Sequence, residues 1–464
     1  MVYEICFCRE TVLNFDLVVK GGRVVTAHED FLADVAVRGE QIAAIGSDLS
    51  GALEIDAASL YVLPGAVDGH VHMRAERKVS VYDDTFATGT IAAAFGGVTS
   101  MVDQAQVEPG LTLEDGLDQR LAEAHGQCLI DYGISVNLRE PRRERIAEFP
   151  RIAARGCPSF KLFMTYDTYV LPDEIVFVAM QEAAAIGGLV IVHAENDAVI
   201  SELLRQNTAA GLTDAHSNAA ARPATMEGEA VYRALAMARV AGARTLIYHV
   251  TAIEALRELE AARGRGQEVF GEACLTYLVF GEDALDEPVS GTAFDFSPPL
   301  RGAEHRAALW DGLARGAIDI VSTDHGPRRR QRDAAGELFT PPGTSGIEVR
   351  LALMHTLGVV TSRLSLHRWV DACCTRPAEI FGLTRKGRLL PGYDADIVLF
   401  DPERRVVLSA ETLHSNIDHS TYDGFSTVGF PVVTISRGEV IVAGGELRAQ
   451  VGRGRFLHRS YESR

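Results

Sequence analysis

One unit recurs along the middle of the chain, roughly from residue 65 to residue 387: a short apolar run followed by a helix-like stretch. The apolar runs are GAVDGHVHM, TSMVDQ, DYGISVNL, SFKLFM, LVIVHAE, TLIYHVT, EVFGEACLTYL and IDIVSTDHG. Stretches such as LPDEIVFVAMQEAAAIG and GEAVYRALAMARVAGA separate several of them. Apolar runs that alternate with helices are typical of buried parallel strands. Eight such units predict an α/β fold built on a (β/α)8 TIM-like barrel.

A doubly wound sheet would alternate in the same way, and it is the competing fold. A nucleotide-binding sheet of that type carries a glycine-rich phosphate loop after its first strand. The glycine-rich stretch at residues 451–455 lies at the wrong end of the chain and lacks the strand–loop–helix context. The barrel is therefore the favoured prediction.

Short β segments flank the repeated region on both sides. DLVVKGGRVV, ADVAVRGEQIAAIG and ALEIDAASLYVL precede it, and DADIVLFDPERRVVL and VVTISRGEVIVAGGEL follow it. These segments predict a small β-sandwich domain formed by both chain ends, residues 15–64 and 388–446, around a barrel at 65–387. Residues 1–14 are interpreted as a leader, and residues 447–464 as a C-terminal tail and a candidate oligomer contact.

Composition restricts the class of partner and the compartment. The chain has 45 basic and 63 acidic side chains, a formal charge of −18, which argues against nucleic acid or an anionic membrane as the main partner. Seven scattered cysteines form neither a disulfide framework nor a zinc-finger spacing, as expected for reduced thiols in a cytoplasmic protein. No signal peptide and no membrane-spanning run is recognised. We expect a cytoplasmic protein that acts on a small molecule.

Chemically active residues lie at the ends of the predicted barrel strands, where the active site of such a barrel collects. They are His70, His72, Lys161, His193, His249 and Asp324. Each alone has an ordinary structural explanation, but four histidines, an aspartate and a lysine on one rim predict a metal site. Residues two apart on a strand share a face, so both imidazoles of the His-x-His pair can reach one ion.

Several segments resemble the hydantoinase/dihydropyrimidinase family of cyclic-amide amidohydrolases. They are PGAVDGHVH, DDTFATGTIAAAFGGVTSMVD, FKLFMTY, VIVHAEN, RPATMEGEA, LIYHVT, SPPLR, STDHGP, LLPGYDADIVLFDP and YDGFSTVGFPVVTISRGEVIVAGGE with the following GRGRFLHR. The likeness runs almost from end to end, and the set is far more specific than any one segment.

The resemblance implies two divalent ions, expected to be zinc. It places His70 and His72 on the more buried ion, and His193 and His249 on the other. Asp324 would ligate the first ion and also carry the proton. Lys161 would be carboxylated by CO2 to an N6-carboxylysine that bridges both ions, a modification that residue patterns alone would not indicate.

The reaction implied is hydrolytic opening of the C–N amide bond of a cyclic ureide, amide or imide by a hydroxide bridging the metals. Tyr166 matches the family's oxyanion tyrosine and the backbone at Ser297 its substrate-amide contact. Relatives are commonly tetramers, so a homo-oligomer is expected by analogy.

The sequence also departs from the hydantoinase pattern. Pro342 stands where hydantoinases usually have an asparagine whose backbone holds the ureide, and proline lacks an N–H. The SGIE element and the arginine of HVHMR are closer to allantoinases and dihydroorotases, which leaves a hydrolase of that type as the alternative. A non-catalytic scaffold relative is disfavoured because all six ligand positions and Tyr166 carry competent residues.

Charged residues near the predicted rim raise the question of substrate charge. MRAERKVSVYDD follows His-x-His where hydantoinases are largely apolar, and we hypothesise that Arg74 faces the cleft and favours a polar or anionic ring substituent. The equal alternative is that these side chains point outward to solvent, because the direction of a loop is not given by its sequence. Arg328, Arg329, Arg330 and Arg332 are interpreted as a solvated loop, with a guide for anions as the alternative. Glu227 and Glu229 are assigned to a helix start rather than to catalysis.

Overall fold

The computed structural model describes residues 15–74, 82–166, 168–286, 291–332, 336 and 338–461. The leader at 1–14, as well as Glu76, Arg77 and Lys78 of the segment after His-x-His, lies outside these residues. Within the described part of the chain, no helix combines the length and the apolar character needed to cross a membrane.

Nineteen strands are described, and they are numbered in chain order. They are β1 Phe15–Val25, β2 Asp30–Arg38, β3 Gln41–Gly46, β4 Gly51–Asp56, β5 Tyr61–Pro64, β6 Ala66–Val71, β7 Val98–Gln106, β8 Asp131–Asn137, β9 Ser159–Phe163, β10 Leu189–His193, β11 Arg244–Ile247, β12 Val269–Cys274, β13 Ile320–Ser322, β14 Gln331–Arg332, β15 Leu338–Phe339, β16 Ile397–Val407, β17 Ser426–Ser436, β18 Glu439–Ala443 and β19 Glu446–Leu447.

The described α-helices number fourteen. They are α1 Phe86–Phe95, α2 Leu113–Ala124, α3 Arg143–Ile146, α4 Phe149–Ala154, α5 Asp173–Ala185, α6 Asp197–Ala209, α7 Ala215–Ala220, α8 Ala224–Ala241, α9 Ile253–Gly264, α10 Leu275–Val279, α11 Ala303–Ala314, α12 Arg350–Met354, α13 Leu366–Val370 and α14 Arg376–Ile380. Short 3-10 turns lie at Glu282–Asp286, Gly291–Phe294 and Gly346–Glu348, and π turns at His355–Val359 and Asp371–Thr375.

The two chain ends form one sheet of nine strands, ordered β19-β18-β17-β16-β5-β1-β2-β3, with β4 also paired to β1. The link between the two ends is the antiparallel pairing of β16 with β5, for example Leu399 opposite Val62. Apolar side chains of both ends, such as Val35 and Ile435, share one buried cluster. A separate β domain formed by both ends is therefore present, as the alternating patterns predicted.

Strands β6 to β13 form an eight-stranded parallel sheet in sequential order, which is the predicted barrel. Nearly every residue of these strands is buried, because helices cover one face and the barrel interior fills the other. One strand prediction was too long. The run EVFGEACLTYL leaves the strand at Cys274 and continues as α10, since hydrophobicity alone does not separate a buried strand from a buried helix.

A buried arginine closes the barrel between its first and last strands. The guanidinium of Arg350 donates to the carbonyl oxygens of Val67 in β6 (2.9 Å) and of Val321 in β13. Beside it the hydroxyl of Thr323 donates to Asp68 at 2.7 Å. These contacts join the strand that carries the His-x-His pair to the strand that precedes Asp324.

Several barrel helices begin at a side chain that caps their free N–H groups. Thr85 accepts from the backbone N–H of Thr88, and Thr112 and Asn196 do the same for α2 and α6. Caps of this kind are typically worth about 1 kcal/mol each. They fix where each strand-to-helix loop ends, and those loops carry the rim residues.

The C-terminal tail packs on its own barrel. Leu457 donates its backbone N–H to Tyr132 at 2.7 Å, next to the amino-terminal end of β8. Arg459 is 1% exposed and donates to Ser159 Oγ at 2.9 Å and to the carbonyl oxygen of Ile134. Residues 455–461 therefore cover the barrel end opposite the predicted active site, and an oligomer contact through the tail stays a prediction.

Removing the Arg459 side chain should destabilise the fold. In Arg459→Ala, buried oxygens lose their charged donor, and we expect a loss of about 3 kcal/mol in the free energy of unfolding. The matched control is Arg448→Ala, whose side chain is 52% exposed, and it should change stability by less than about 0.5 kcal/mol. Denaturant unfolding followed by circular dichroism measures both. Equal midpoints for the two variants would contradict the anchoring role of Arg459.

Candidate active site

The six predicted ligand residues converge at the carboxyl ends of the barrel strands. His70 lies in β6, Lys161 in β9 and His193 at the end of β10. His72, His249 and Asp324 follow the ends of β6, β11 and β13. Because the strands are parallel and adjacent, side chains that are far apart in sequence meet on this rim.

Asp324 lies at the centre of the first group. Its Oδ1 is 3.1 Å from Nε2 of His70 and 3.0 Å from Nε2 of His72. The two imidazole Nε2 atoms are 3.3 Å apart, and Nζ of Lys161 is 3.3 Å from Nε2 of His70. Potential ligand atoms of four residues thus point at one small volume.

His193 and His249 form a second group beside it. Their ring centroids are 4.2 Å apart, and the ring of His249 lies 5.8 Å from that of His70. Nε2 of His193 is 2.7 Å from a carboxylate oxygen of Glu195, which also accepts from Arg222 at 2.9 Å. Nδ1 of His193 is therefore the ring nitrogen left for a cation.

A buried glutamate orients both groups, and the sequence prediction missed it. Oε2 of Glu272 lies 3.1 Å from Nδ1 of His70 and accepts the backbone N–H of His249 at 2.9 Å. Burial raises the pKa of Glu272 to about 7. Metal-ligating histidines commonly give their second N–H to such a carboxylate, which fixes the tautomer. The only sequence signal was its position near the end of a predicted barrel strand.

Packing also holds the His70 ring in place. Tyr248 stacks on His70 with ring centroids 3.7 Å apart, and its hydroxyl donates to the carbonyl oxygen of Gly69 at 2.7 Å. A side chain at Gly69 would collide with the Phe381 ring, so the residue before His70 has to be glycine. The strand therefore presents the imidazole in one orientation.

Burial sets the protonation states of the rim. It lowers the pKa of His70, His193 and His249 well below the usual value, so these imidazoles are neutral at pH 7. It also lowers the pKa of Lys161. For Asp324 burial acts in the raising direction, but the neighbouring histidines outweigh it and hold the pKa of the carboxyl well below its usual value. Neutral imidazoles with an ionised carboxylate are a donor set that fits Zn²⁺.

Cys274 is a further potential ligand, since its Sγ and ligand atoms of His70 and Asp324 all lie within 4.8 Å of one another. Burial raises the pKa of its thiol well above the usual value, however, and only a thiolate binds metal well. Its Sγ lies 3.8 Å from Glu272 instead. Cys274 is not among the six predicted ligands, and its thiol packs beside the carboxylate of Glu272.

Three residues of the site have a strained backbone. Tyr166, His249 and Asp324 have φ values of 76°, 40° and 50°, in the left-handed region that non-glycine residues rarely adopt. Such conformations cost about 1–3 kcal/mol each and cluster at functional sites. The surrounding fold retains them at three of the predicted site residues.

A cavity of about 340 Å³ opens onto the rim. The described residues that line it are His72, Tyr82, Gln106, Asn137, Arg139, Lys161, Phe163, Tyr166, Tyr169, His193, His249, Ser297, Asp324 and Arg328. The hydroxyl of Tyr166 is 3.4 Å from the carbonyl oxygen of Ser297, so the two residues assigned to the substrate lie together.

Two predicted substrate contacts lie elsewhere. Arg74 is exposed and Pro342 is half-buried, and neither is among the described residues that line the cavity. The backbone N–H of Arg74 is held by the carbonyl oxygen of Asp84 at 2.6 Å, at the point where the chain leaves the rim. The arginines that line the cavity are Arg139, which the sequence did not single out, and Arg328.

The four arginines that follow Asp324 differ in their exposure to solvent. Arg329, Arg330 and Arg332 are exposed, as the solvated-loop interpretation predicted, whereas Arg328 is half-buried against the cavity.

Glu227 has a structural role, because it accepts from the backbone N–H of Thr251 at 2.8 Å and pairs with Arg301 at 2.8 Å. Glu229 likewise accepts from Asn196 at 2.7 Å.

Known proteins resemble this chain over nearly its whole length. The family model described as "Amidohydrolase family" matches residues 61–441. The D-hydantoinase of Streptomyces coelicolor is 41% identical over 457 residues, covering 96% of this chain and 98% of that protein. A D-phenylhydantoinase of Escherichia coli is 37% identical over 453 residues, with 96% and 98% covered.

Solved structures give the same result. The dihydropyrimidinase of Brevibacillus agri superposes with a TM-score of 0.91 at 36% identity, covering 96% of this chain and 99% of that one. The L-hydantoinase of Arthrobacter aurescens has a TM-score of 0.88 at 30% identity, with 96% and 100% covered. The fold, the family model and the near-complete coverage together mean that this chain belongs to the amidohydrolase family, in its hydantoinase and dihydropyrimidinase group.

Proposed function

We propose that the protein hydrolyses the C–N amide bond of a cyclic ureide, amide or imide. The observation that carries the proposal is the convergence of six ligand-type side chains beneath a cavity that Tyr166 and Ser297 also line. The names of the relatives, hydantoinases and a dihydropyrimidinase, support a ring amide as the reacting group.

Two divalent ions, with zinc as the proposed metal, fit the donors. His70, His72 and Asp324 would hold one, and His193 and His249 the other. Such a pair supplies Lewis acidity and lowers the pKa of water, so that a nucleophile is available at neutral pH.

Lys161 is proposed to join the two groups as a carbamate. An ammonium cannot bind a cation, but burial favours the neutral amine of Lys161. The lone pair of that amine can attack the carbon of CO2 and form an N–C bond, with release of one proton. The product is an anionic group with two oxygens, which a buried position between two cations would stabilise.

The remaining steps are assigned to side chains of the rim. Tyr166 would donate to the oxyanion that develops on the ring carbonyl, because burial raises the pKa of its hydroxyl and keeps the proton on it. The backbone of Ser297 would orient the ring amide. Asp324 would accept the proton of the nucleophile and return it to the leaving ring nitrogen.

A substrate panel tests the proposal. Purified protein, loaded with zinc and analysed for metal content, would be assayed against hydantoin, dihydrouracil, allantoin, dihydroorotate and a cyclic imide. We expect ring opening of at least one compound, and inhibition by chelators. If allantoin or dihydroorotate is hydrolysed fastest, the result would support the alternative, a hydrolase of the allantoinase or dihydroorotase type. If the protein has its full metal content and opens none of these rings, the proposed activity is contradicted.

Removal of the Tyr166 hydroxyl is the next prediction. Tyr166→Phe keeps the ring but loses the donor, and kcat should fall by roughly 10²–10³, as for one oxyanion-hole donor. The control is Tyr232→Phe on α8, where the side chain is exposed and turnover should be unchanged. An unaltered kcat in Tyr166→Phe would exclude the tyrosine from the reaction.

A further inference from the structure

We propose that the cavity selects substrates whose ring carries a carboxylate, and that Arg139 and Arg328 bind this group. The inference rests on the proposed ring-opening function and adds the substrate class. It replaces the hypothesis that Arg74 makes this contact, since Arg74 is exposed and lies outside the described cavity lining.

Arg139 follows β8 and is half-buried at the cavity wall. Its guanidinium lies over the ring of Tyr169, 4.2 Å from the centroid, and that ring is 5.7 Å from Tyr166. No carboxylate of the described residues forms an ion pair with Arg139, whereas Arg145 nearby pairs with Glu140 and Glu148. The charge of Arg139 is thus held close to the site without an acidic partner in the described structure.

Arg328 is held in a comparable way on another part of the wall. Its guanidinium lies over the ring of Tyr82 at 5.5 Å, and Tyr82 stacks near His72 with centroids 5.6 Å apart. The Nε atom of Arg328 is buried and has no hydrogen-bond partner among the described residues. The next residue differs, because Arg329 is exposed and donates to Asn416. A buried donor without a partner is unfavourable, and an anionic ligand would supply the missing acceptor.

The charge balance of the cavity favours an anion. Asp324 is the one carboxylate among the described lining residues, and it is assigned to the metals. Among the described lining residues, the two guanidiniums therefore have no other carboxylate to balance them, in a protein whose formal charge is −18. Arginine binds carboxylate bidentately, and an aromatic ring beneath it preorganises the fork.

The position of the arginines assigns the carboxylate to the substituent rather than to the reacting amide. The amide belongs at the rim, by Tyr166 and Ser297. Arg139 lies instead over the ring of Tyr169, and Arg328 over the ring of Tyr82. A cavity of about 340 Å³ is at the small end of ligand sites, so the acid has to be carried by a short chain or by the ring itself.

The test compares matched pairs of substrates. Hydantoins with a 5-carboxymethyl or 5-carboxyethyl group are measured against their 5-carboxamide counterparts, with unsubstituted hydantoin and dihydroorotate alongside. We expect kcat/KM to favour the acid over the amide by about tenfold or more, equivalent to about 1.4 kcal/mol. A strong dihydroorotate signal would assign the carboxylate to the ring, and a strong carboxyalkyl signal would assign it to a side chain.

The variants are Arg139→Gln and Arg328→Gln, each with its lysine counterpart. The acid-to-amide ratio should fall about tenfold in each glutamine variant, mainly through KM, and recover in part with lysine. Arg330→Gln is the matched control, because Arg330 belongs to the same basic run but is exposed. Binding of the ring-opened products N-carbamoylaspartate and N-carbamoylasparagine, measured by calorimetry, gives a second readout that does not need turnover.

Failure of this inference can be separated from failure of the proposed function. Turnover of hydantoin with an acid-to-amide ratio near one, unchanged in both glutamine variants, would overturn the inference and leave the ring-opening activity standing. Absence of turnover on every ring would instead overturn the activity, and equal affinities for the two carbamoyl products would then overturn the arginine assignment as well.

Discussion

Lys161→Ala is expected to lose most of the divalent metal and at least about 10³-fold in kcat/KM. The proposed carbamate joins the two cation sites, and a methyl group cannot replace it. Two-metal sites contribute several kcal/mol to transition-state stabilisation, and each 1.36 kcal/mol corresponds to a factor of ten in rate. Metal content by elemental analysis and turnover on the preferred ring measure the two losses.

The control for this variant is Lys20→Ala, because Lys20 lies in β1 of the separate β domain and pairs with Asp34 at 2.7 Å. It should keep its metal. Formate, acetate or propionate should partly restore activity to Lys161→Ala, since a free carboxylate can occupy the volume of the missing group. Metal content and turnover like those of the wild type in Lys161→Ala would rule out the carbamate.

Asp324→Asn should lower turnover by roughly 10³–10⁴. An amide keeps the shape of the side chain but cannot accept the proton and return it to the leaving nitrogen, and a positioned acid–base group contributes about 10²–10⁴. The loss of a charged ligand adds to this effect. Asp324 lies within 3.1 Å of both His70 and His72, so metal content is to be measured in parallel.

Asp311→Asn on α11 is the matched control, since its side chain is 72% exposed and is not among the described residues that line the cavity. Circular dichroism and the unfolding midpoint check that Asp324→Asn folds. If Asp324→Asn binds metal normally and retains wild-type kcat, the proton has to be carried by another group.

Residues of the barrel were predictable from the sequence because two local rules apply there. Parallel strands buried on both faces read as continuous apolar runs, and polar residues at their carboxyl ends meet on one rim. His70, Lys161 and Asp324 were identified in this way. The β domain was recognised by its alternating patterns, although its two halves are more than 300 residues apart and pair only through β16 and β5.

Side-chain direction outside the strands was decided by the tertiary structure alone. Arg74 and Arg328 both follow rim residues in basic stretches, yet one is exposed and the other lines the cavity. The difference arises from contacts distant in sequence, such as the ring of Tyr82 beneath Arg328. A charge pattern gives no information on such contacts, because a loop is oriented by what it packs against.

The supporting contacts of the site were also outside the reach of sequence reasoning. Glu272 contacts His70 across 202 residues, and Arg350 joins β6 to β13 across 283 residues from Val67. Each is a polar residue inside an apolar stretch, which has no distinctive periodicity. The sequence determined which chemical groups the rim contains, because strand ends and residue types are local properties. The tertiary structure decided how those groups are oriented and which arginines face the substrate, because these depend on packing between residues that are remote in the chain.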